Sequence, residues 1–347
     1  DTLRGQAGND SIDGGSGQDT IDFADANTGV RVYLDSTDED NNVVSHEVME
    51  DGFGTQDQVT EVEKIIGSIH ADTLKGDANT NTIQAGLGDD TIIATNGSDE
   101  IDGGGNTTGA GGGDWLSFQA LGTAVDAAMQ NGTITGGLGT TNITEIENLY
   151  GTTLNDSLTG DANDNSLDGN SGDDVINGGA GADHLLGNTG NDTLIGGNGM
   201  DTYDGGDDND TISFYNVGAS VDVDLSSSTV NDDGYGNTES GAITDVENIV
   251  GTLNYADNLT GDNQNNTIYG YGGNDVLNGL DGYDTIYGGT GLDIINTGTD
   301  SGTAAEDVAF GGEGIDTLTG GLSGSVLYGD SVGGTNVEVD WADYSSV

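Results

Sequence analysis

Gly178-Gly179-Ala180-Gly181-Ala182-Asp183-His184-Leu185-Leu186 runs without a gap into Gly187-Asn188-Thr189-Gly190-Asn191-Asp192-Thr193-Leu194-Ile195 and then Gly196-Gly197-Asn198-Gly199-Met200-Asp201-Thr202-Tyr203-Asp204. The three nonapeptides share one register: glycine at positions one and four, aspartate at six, a large apolar residue at eight. Glycine reaches positive φ without steric cost, so the first five residues read as a tight turn. The aspartate presents a carboxylate at that turn. The apolar residue, flanked by residues that face the other way, reads as the inward middle of a three-residue strand.

The same phase holds through most of the chain. Asp10, Asp19, Asp72, Asp90, Asp99, Asp114, Asp156, Asp174, Asp183, Asp192, Asp201, Asp210, Asp275, Asp284, Asp293 and Asp316 occupy position six, and Asp257 joins them. Aliphatics from Ile12 and Ile21 to Leu318 and Leu327 fill position eight. Asn81, Asn165 and Asn266 replace aspartate at one recurring place, the second repeat after a break, and read as turns with a weaker cation site or none. The breaks are themselves periodic. Long insertions follow Asp19, Asp114 and Asp210, at steps of 95 and 96 residues. Each opens on an aromatic (Phe23, Phe118, Phe214) and closes on a related phrase (Val62-Glu63-Lys64-Ile65-Ile66-Gly67, Ile146-Glu147-Asn148-Leu149-Tyr150-Gly151, Val246-Glu247-Asn248-Ile249-Val250-Gly251). Repeat blocks therefore fall at 1–22, 67–117, 151–213 and 251–330. Insertions fall at 23–66, 118–150 and 214–250, and 331–347 starts a further unit. The opening Asp1–Gly5 aligns with the resumption point Asp72–Gly76, and Asp340–Tyr344 with the insertion opening at Asp114, so the chain reads as a window on a longer tandem array.

Acidic residues number 62 against 4 basic ones, for a formal charge of −58. Two carboxylates ~5 Å apart repel by about 1–3 kcal/mol at effective dielectrics between water and a protein surface. A folded chain retains only about 5–15 kcal/mol in total. The fold therefore needs a cation, and a hard, oxygen-seeking one such as calcium suits carboxylates and backbone carbonyls. The same charge excludes nucleic acid as a partner, because phosphate binding needs lysine and arginine. Cysteine and proline are absent. No apolar run is long enough to span a bilayer, so membrane insertion is not expected.

The nonapeptides resemble the RTX (repeats-in-toxin), hemolysin-type calcium-binding β-roll family, over about two-thirds of the chain. The resemblance implies an all-β fold: a right-handed parallel β-roll or β-solenoid in which two nonapeptides make one 18-residue coil, the insertions continuing as wider coils with protruding loops. It implies multiple Ca2+ ions held between same-side turns, with Asp174/Asp192, Asp183/Asp201, Asp192/Asp210 and Asp275/Asp293 as bridging pairs. It also implies an extracellular or cell-surface chain, secreted by the Gram-negative type I route and folding on calcium after export.

Sharper chemistry is not expected. His46-Glu47-Val48-Met49-Glu50 approaches a zinc-protease motif but has glutamate for the second histidine, and Gly329-Asp330-Ser331-Val332-Gly333 matches G-x-S-x-G only formally. No catalytic residue and no enzyme activity is therefore expected. Asp38–Asn42 and Asn231–Gly234 read as solvated insertion loops, with an added calcium site as the alternative. Tyr269 and Tyr287, one coil apart, should stack on an outer sheet face, where the alternative is a stripe for a neighbouring copy or a glycan. The expected role is a calcium-stiffened structural segment of a large secreted protein: an adhesin, a surface layer or an extracellular filament. The alternatives are the non-catalytic tail of an exoenzyme and a carbohydrate-binding module.

Overall fold

The computed structural model describes residues 1–35, 47–105, 112–135, 141–240, 242–298, 306–321, 325–329 and 341–343. Asp38–Asn42, His46 and 330–333, which carry three of the readings above, lie outside them. The chain forms two compact units, Asp1–Ile176 and Asn177–Val347. Each is a parallel β-roll, and the only helices among the described residues are the 3-10 turns Met129–Asn131 and Leu225–Ser227.

The described strands are short, running from two to seven residues, because each nonapeptide turns the chain once. Within unit 2, His184–Thr189 pairs in parallel with Thr202–Asp207, Leu185 beside Tyr203, one 18-residue coil apart. Thr193 and Leu194 pair with Thr211 and Ile212 in the facing sheet. Unit 1 repeats the arrangement, with Thr73–Lys75 beside Thr91–Ile93 and Thr82–Leu87 beside Glu100–Gly105. Position eight is the interior: Leu74, Ile92, Leu167, Leu185, Leu194, Ile212, Ile268 and Ile286 are fully buried. Leu327, in the last described strand of its sheet, is only half-buried.

The insertions depart from the expected wide coils. Each is an antiparallel three-strand meander let into one sheet of the roll. In the first, Arg31–Tyr33 pairs antiparallel with Glu47–Glu50, which pairs antiparallel with Asp57–Thr60. The outer members join the parallel ladder, Asp57–Thr60 to Ser11–Asp13 and Arg31–Tyr33 to Thr73–Lys75. In the facing sheet Thr20–Asp22 pairs directly with Lys64–Ile66. The second insertion places its meander (Asp126–Ala128, Thr133–Thr135, Thr141–Thr144) in the opposite sheet of the same unit, while Trp115–Ser117 pairs directly with Asn148–Tyr150. The third, in unit 2, runs through Asp222–Asp224, Thr229–Asp232 and Glu239–Ser240. A hydrophobic reason is plain. Val30, Val32, Val48, Val59, Ala127, Ile134, Val223 and Val230 all face inward and are buried, so the meander extends the core.

Candidate metal centre

The position-six aspartates are where the turns meet. All except the half-buried Asp10 are buried, at 4% exposure or less. Burial follows from the turn: the Gly-rich arc folds over the carboxylate, and the strand that begins at position seven pins its backbone. One carboxylate oxygen has a structural task. The Asp183 N–H donates to Asp201 Oδ1 at 2.9 Å, Asp192 to Asp210 at 2.7 Å, and Asp275 to Asp293 at 2.9 Å. Each aspartate thus accepts the N–H of its counterpart one coil earlier, and three of the expected bridging pairs are in direct contact.

The second oxygen is different. Asp19, Asp90, Asp114, Asp210, Asp275 and Asp293 each hold a buried Oδ2 with no hydrogen-bond donor. Leaving a buried acceptor unsatisfied costs about 1–3 kcal/mol, more for a charged group. Burial pushes the carboxyls of Asp90, Asp210 and Asp275 up to about 7 and those of Asp114 and Asp293 to about 6. The accepted backbone hydrogen bond works against that rise, and neighbouring carboxylates add to it.

At Asp210, Asp275 and Asp293 this oxygen lies against the position-one glycine of its own repeat, beside a carbonyl from the next coil. A Cβ on Gly288 would lie 2.5 Å from both Asp293 Oδ2 and the Gly311 carbonyl oxygen. On Gly270 it would lie 2.8 Å from the Gly288 carbonyl and against Asp275 Oδ2. Glycine here is required by what surrounds it, a cradle of one carboxylate and one carbonyl oxygen. Hard-cation chemistry prefers that donor set. Among the described residues no three His, Cys, Asp or Glu side chains converge, so a cation in this cradle draws much of its shell from backbone oxygen. The residues fit calcium.

Not every predicted aspartate has an oxygen to spare. Asp72, Asp156 and Asp257, first after each insertion, accept on both oxygens from protein donors. Asp72 takes Val30 N–H at 2.8 Å and Ser68 N–H at 2.5 Å; Asp156 takes Val125 N–H at 2.8 Å and Thr152 N–H at 2.5 Å. Asp257 takes Val221 N–H at 3.0 Å and Thr252 N–H at 2.6 Å. Each ties the start of a meander to the resumed roll. Ser68, Thr152 and Thr252, directly after the first glycine, mark this use in the sequence. Asp99 likewise accepts from Asn81 N–H at 2.9 Å and Thr95 Oγ1 at 3.2 Å.

Two of the three asparagines have a matching reason. Asn165 and Asn266 lie one coil after Glu147 and Glu247, whose N–H groups are already used by Asp114 and Asp210. What remains is a carbonyl, and Asn165 Nδ2 donates to Glu147 O at 2.9 Å and Asn266 Nδ2 to Glu247 O at 2.7 Å. A donor is required there, and aspartate has none.

Sequence reasoning missed other members. Asp307 takes the Asp284 N–H at 3.1 Å; the extra residues before it hid its phase, though Asp-Val-Ala-Phe-Gly carries the signal. At each insertion the closing glutamate takes over: Asp19 N–H donates to Glu63 at 2.9 Å, Asp114 to Glu147 at 2.9 Å, Asp210 to Glu247 at 2.8 Å. Two residues before each glutamate, Glu61, Glu145 and Asp245 hold φ of 54°, 52° and 45°. A left-handed non-glycine costs about 1–3 kcal/mol and persists where its surroundings impose it. Their carbonyls are the oxygens that crowd Gly14, Gly103 and Gly205, so the strained residues rebuild the cradle at the junction.

Comparison with family models matches residues 1–27, 75–107, 150–185, 178–212, 252–286, 272–304 and 301–331 to the RTX calcium-binding nonapeptide repeat. These matches cover more than half of the chain. A search of curated proteins found no similar sequence.

Proposed function

Since the chain belongs to the RTX calcium-binding nonapeptide repeat family, we propose that it is a calcium-stiffened structural segment of a larger secreted protein, an adhesin, surface layer or extracellular filament, with no catalysis of its own. The carrying observation is the set of buried, donorless Oδ2 atoms, those of Asp114, Asp210, Asp275 and Asp293 lying beside a glycine and a carbonyl from the next coil. In the metal-free chain those carboxylates oppose stacking; with calcium they cement it. Bound calcium supplies the positive charge and accepts the spare oxygens. The chain's own part is to hold Oδ1 on the neighbouring N–H, so that Oδ2 stays aimed into the cradle. At free calcium about ten times a site's dissociation constant, each site adds about 1.4 kcal/mol, and several together outweigh the thin core. Extracellular calcium would then fold the chain after export, and a neighbouring copy or a surface glycan is the partner in an assembly.

Circular dichroism against calcium concentration tests this. The β-sheet signal should appear with calcium and collapse in excess EGTA. A spectrum indifferent to chelation would sink the proposal.

A further inference from the structure

Two insertions carry a second kind of carboxylate, on the side away from their opening. In the first, Asp57 is 1% exposed, and in the third, Glu239 is 4% exposed. Neither sits in a nonapeptide. Both end the same short phrase, Asp51-Gly52-Phe53-Gly54-Thr55-Gln56-Asp57 and Asp233-Gly234-Tyr235-Gly236-Asn237-Thr238-Glu239. The phrase closes on itself. Asp51 Oδ1 takes the N–H groups of Phe53 and Thr55 at 2.8 and 3.0 Å, and Asp233 Oδ1 those of Tyr235 and Asn237 at 2.8 and 2.9 Å. The closed loop then delivers the final carboxylate to the roll.

Its place there is that of a missing position-six aspartate. Asp10 N–H donates to Asp57 Oδ1 at 2.9 Å, and Asp201 N–H to Glu239 Oε1 at 3.1 Å. That is the contact Asp183 makes with Asp201 in a regular coil. As in a regular coil, the other oxygen has no donor: Asp57 Oδ2 and Glu239 Oε2 are buried and unsatisfied, and so is Asp10 Oδ2. Gly5, at position one of the Asp10 repeat, leaves room for Asp57 Oδ2, which a Cβ there would meet; Gly288 leaves the same room for the aspartate of its own repeat, Asp293. The middle insertion provides the contrast. There the Asp99 N–H meets the neutral hydroxyl of Thr141, at 3.4 Å, and both Asp99 oxygens already have donors.

We infer that the first and third insertions each rebuild a divalent-cation site with their own side chain, Asp57 closing a site at Asp10 and Glu239 a site at Asp201, while Thr141 leaves the middle insertion without one. This rests on the calcium reading of the regular turns. The metal is the same hard dication, recognised by carboxylate and backbone oxygen. The insertions therefore interrupt the nonapeptide text without interrupting the line of bound metal in the first and third cases.

The test is a count of calcium bound per intact chain, by equilibrium dialysis with metal analysis and by native mass spectrometry. Asp57→Asn and Glu239→Gln are each expected to lose one ion, and the double variant two. Thr141→Asp is expected to gain one, which keeps the idea testable if either loss variant fails to fold. Asp192→Asn serves as the regular-turn control. If the unmodified chain binds no calcium, the proposed function itself fails. If Asp192→Asn loses ions while Asp57→Asn, Glu239→Gln and Thr141→Asp all keep the parental count, this inference alone is overturned.

Discussion

At the scale of single residues, the turn is a set of mutual exclusions. Where an oxygen cradle occupies the space of its side chain, as at Gly288, position one must be glycine. Gly288→Ala should put a methyl 2.5 Å from Asp293 Oδ2 and from the Gly311 carbonyl, losing about 1–3 kcal/mol as an overpacking change and weakening one calcium site. Melting temperature in saturating calcium, and a calcium titration, check both effects. A parental melt and titration would mean that the cradle yields. Asn165→Asp should cost about 1–3 kcal/mol, because the Nδ2 donor to Glu147 O is lost and a carboxylate oxygen faces that carbonyl. The loss should be the same at saturating calcium as at calcium just sufficient to fold the chain, which separates it from a metal effect. The periodic glycine, aspartate and apolar positions were legible because a nine-residue phase has few physical explanations. The partition of the aspartates was not. Whether a carboxylate is spare depends on donors brought from elsewhere in the chain, such as Val30 N–H reaching Asp72 across the insertion.

At the scale of elements, strands and insertions differ in how far they could be read. The inward aliphatic at position eight states its own orientation, and the alternating Val30, Val32 and Leu34 are buried along the strand Arg31–Tyr33. Direction was illegible, since an antiparallel meander and a wide coil bury the same face. The outer face holds a ladder. Tyr269 stacks on Tyr287 at 4.7 Å and 4°, as its spacing predicts, and the column continues through Phe310 at 5.0 Å and Tyr328 at 4.9 Å. Aromatic pairs add about 0.5–1.5 kcal/mol beyond area burial. Tyr287→Ser removes two stacks from the middle of the column, whereas Tyr328→Ser removes one from its end. The expected destabilisation is about twice as large for the first, read from melts in saturating calcium. Equal losses would show that the rings do not act as a column.

At the scale of the whole molecule, charge governs. The carboxyls of Asp90, Asp210 and Asp275 rise from 3.8 to about 7 on folding without metal, so the folded chain holds protons that the unfolded chain has released. Stability of the metal-free chain should therefore be greatest below about pH 4 and should fall as pH rises toward about 7. The charge of −58 acts in the same direction. Calcium competes with those protons, so its stabilisation should grow over the same interval. Melts in EGTA and in millimolar calcium should lie close together near pH 4 and draw apart as pH rises; parallel curves would deny that metal and protons share the same oxygens. One more property follows from the contact between coils. Where a position-six aspartate N–H donates to a carboxylate, as from Asp183 to Asp201 or Asp275 to Asp293, that carboxylate comes later in the chain, never earlier. Severing the stack beyond a given coil strands a buried donor, which only another oxygen can quench. Severing it ahead of that coil strands an acceptor, which a water or a metal can quench. The two broken faces are as unlike as a plug and a socket, and end-on growth has a direction written into every turn.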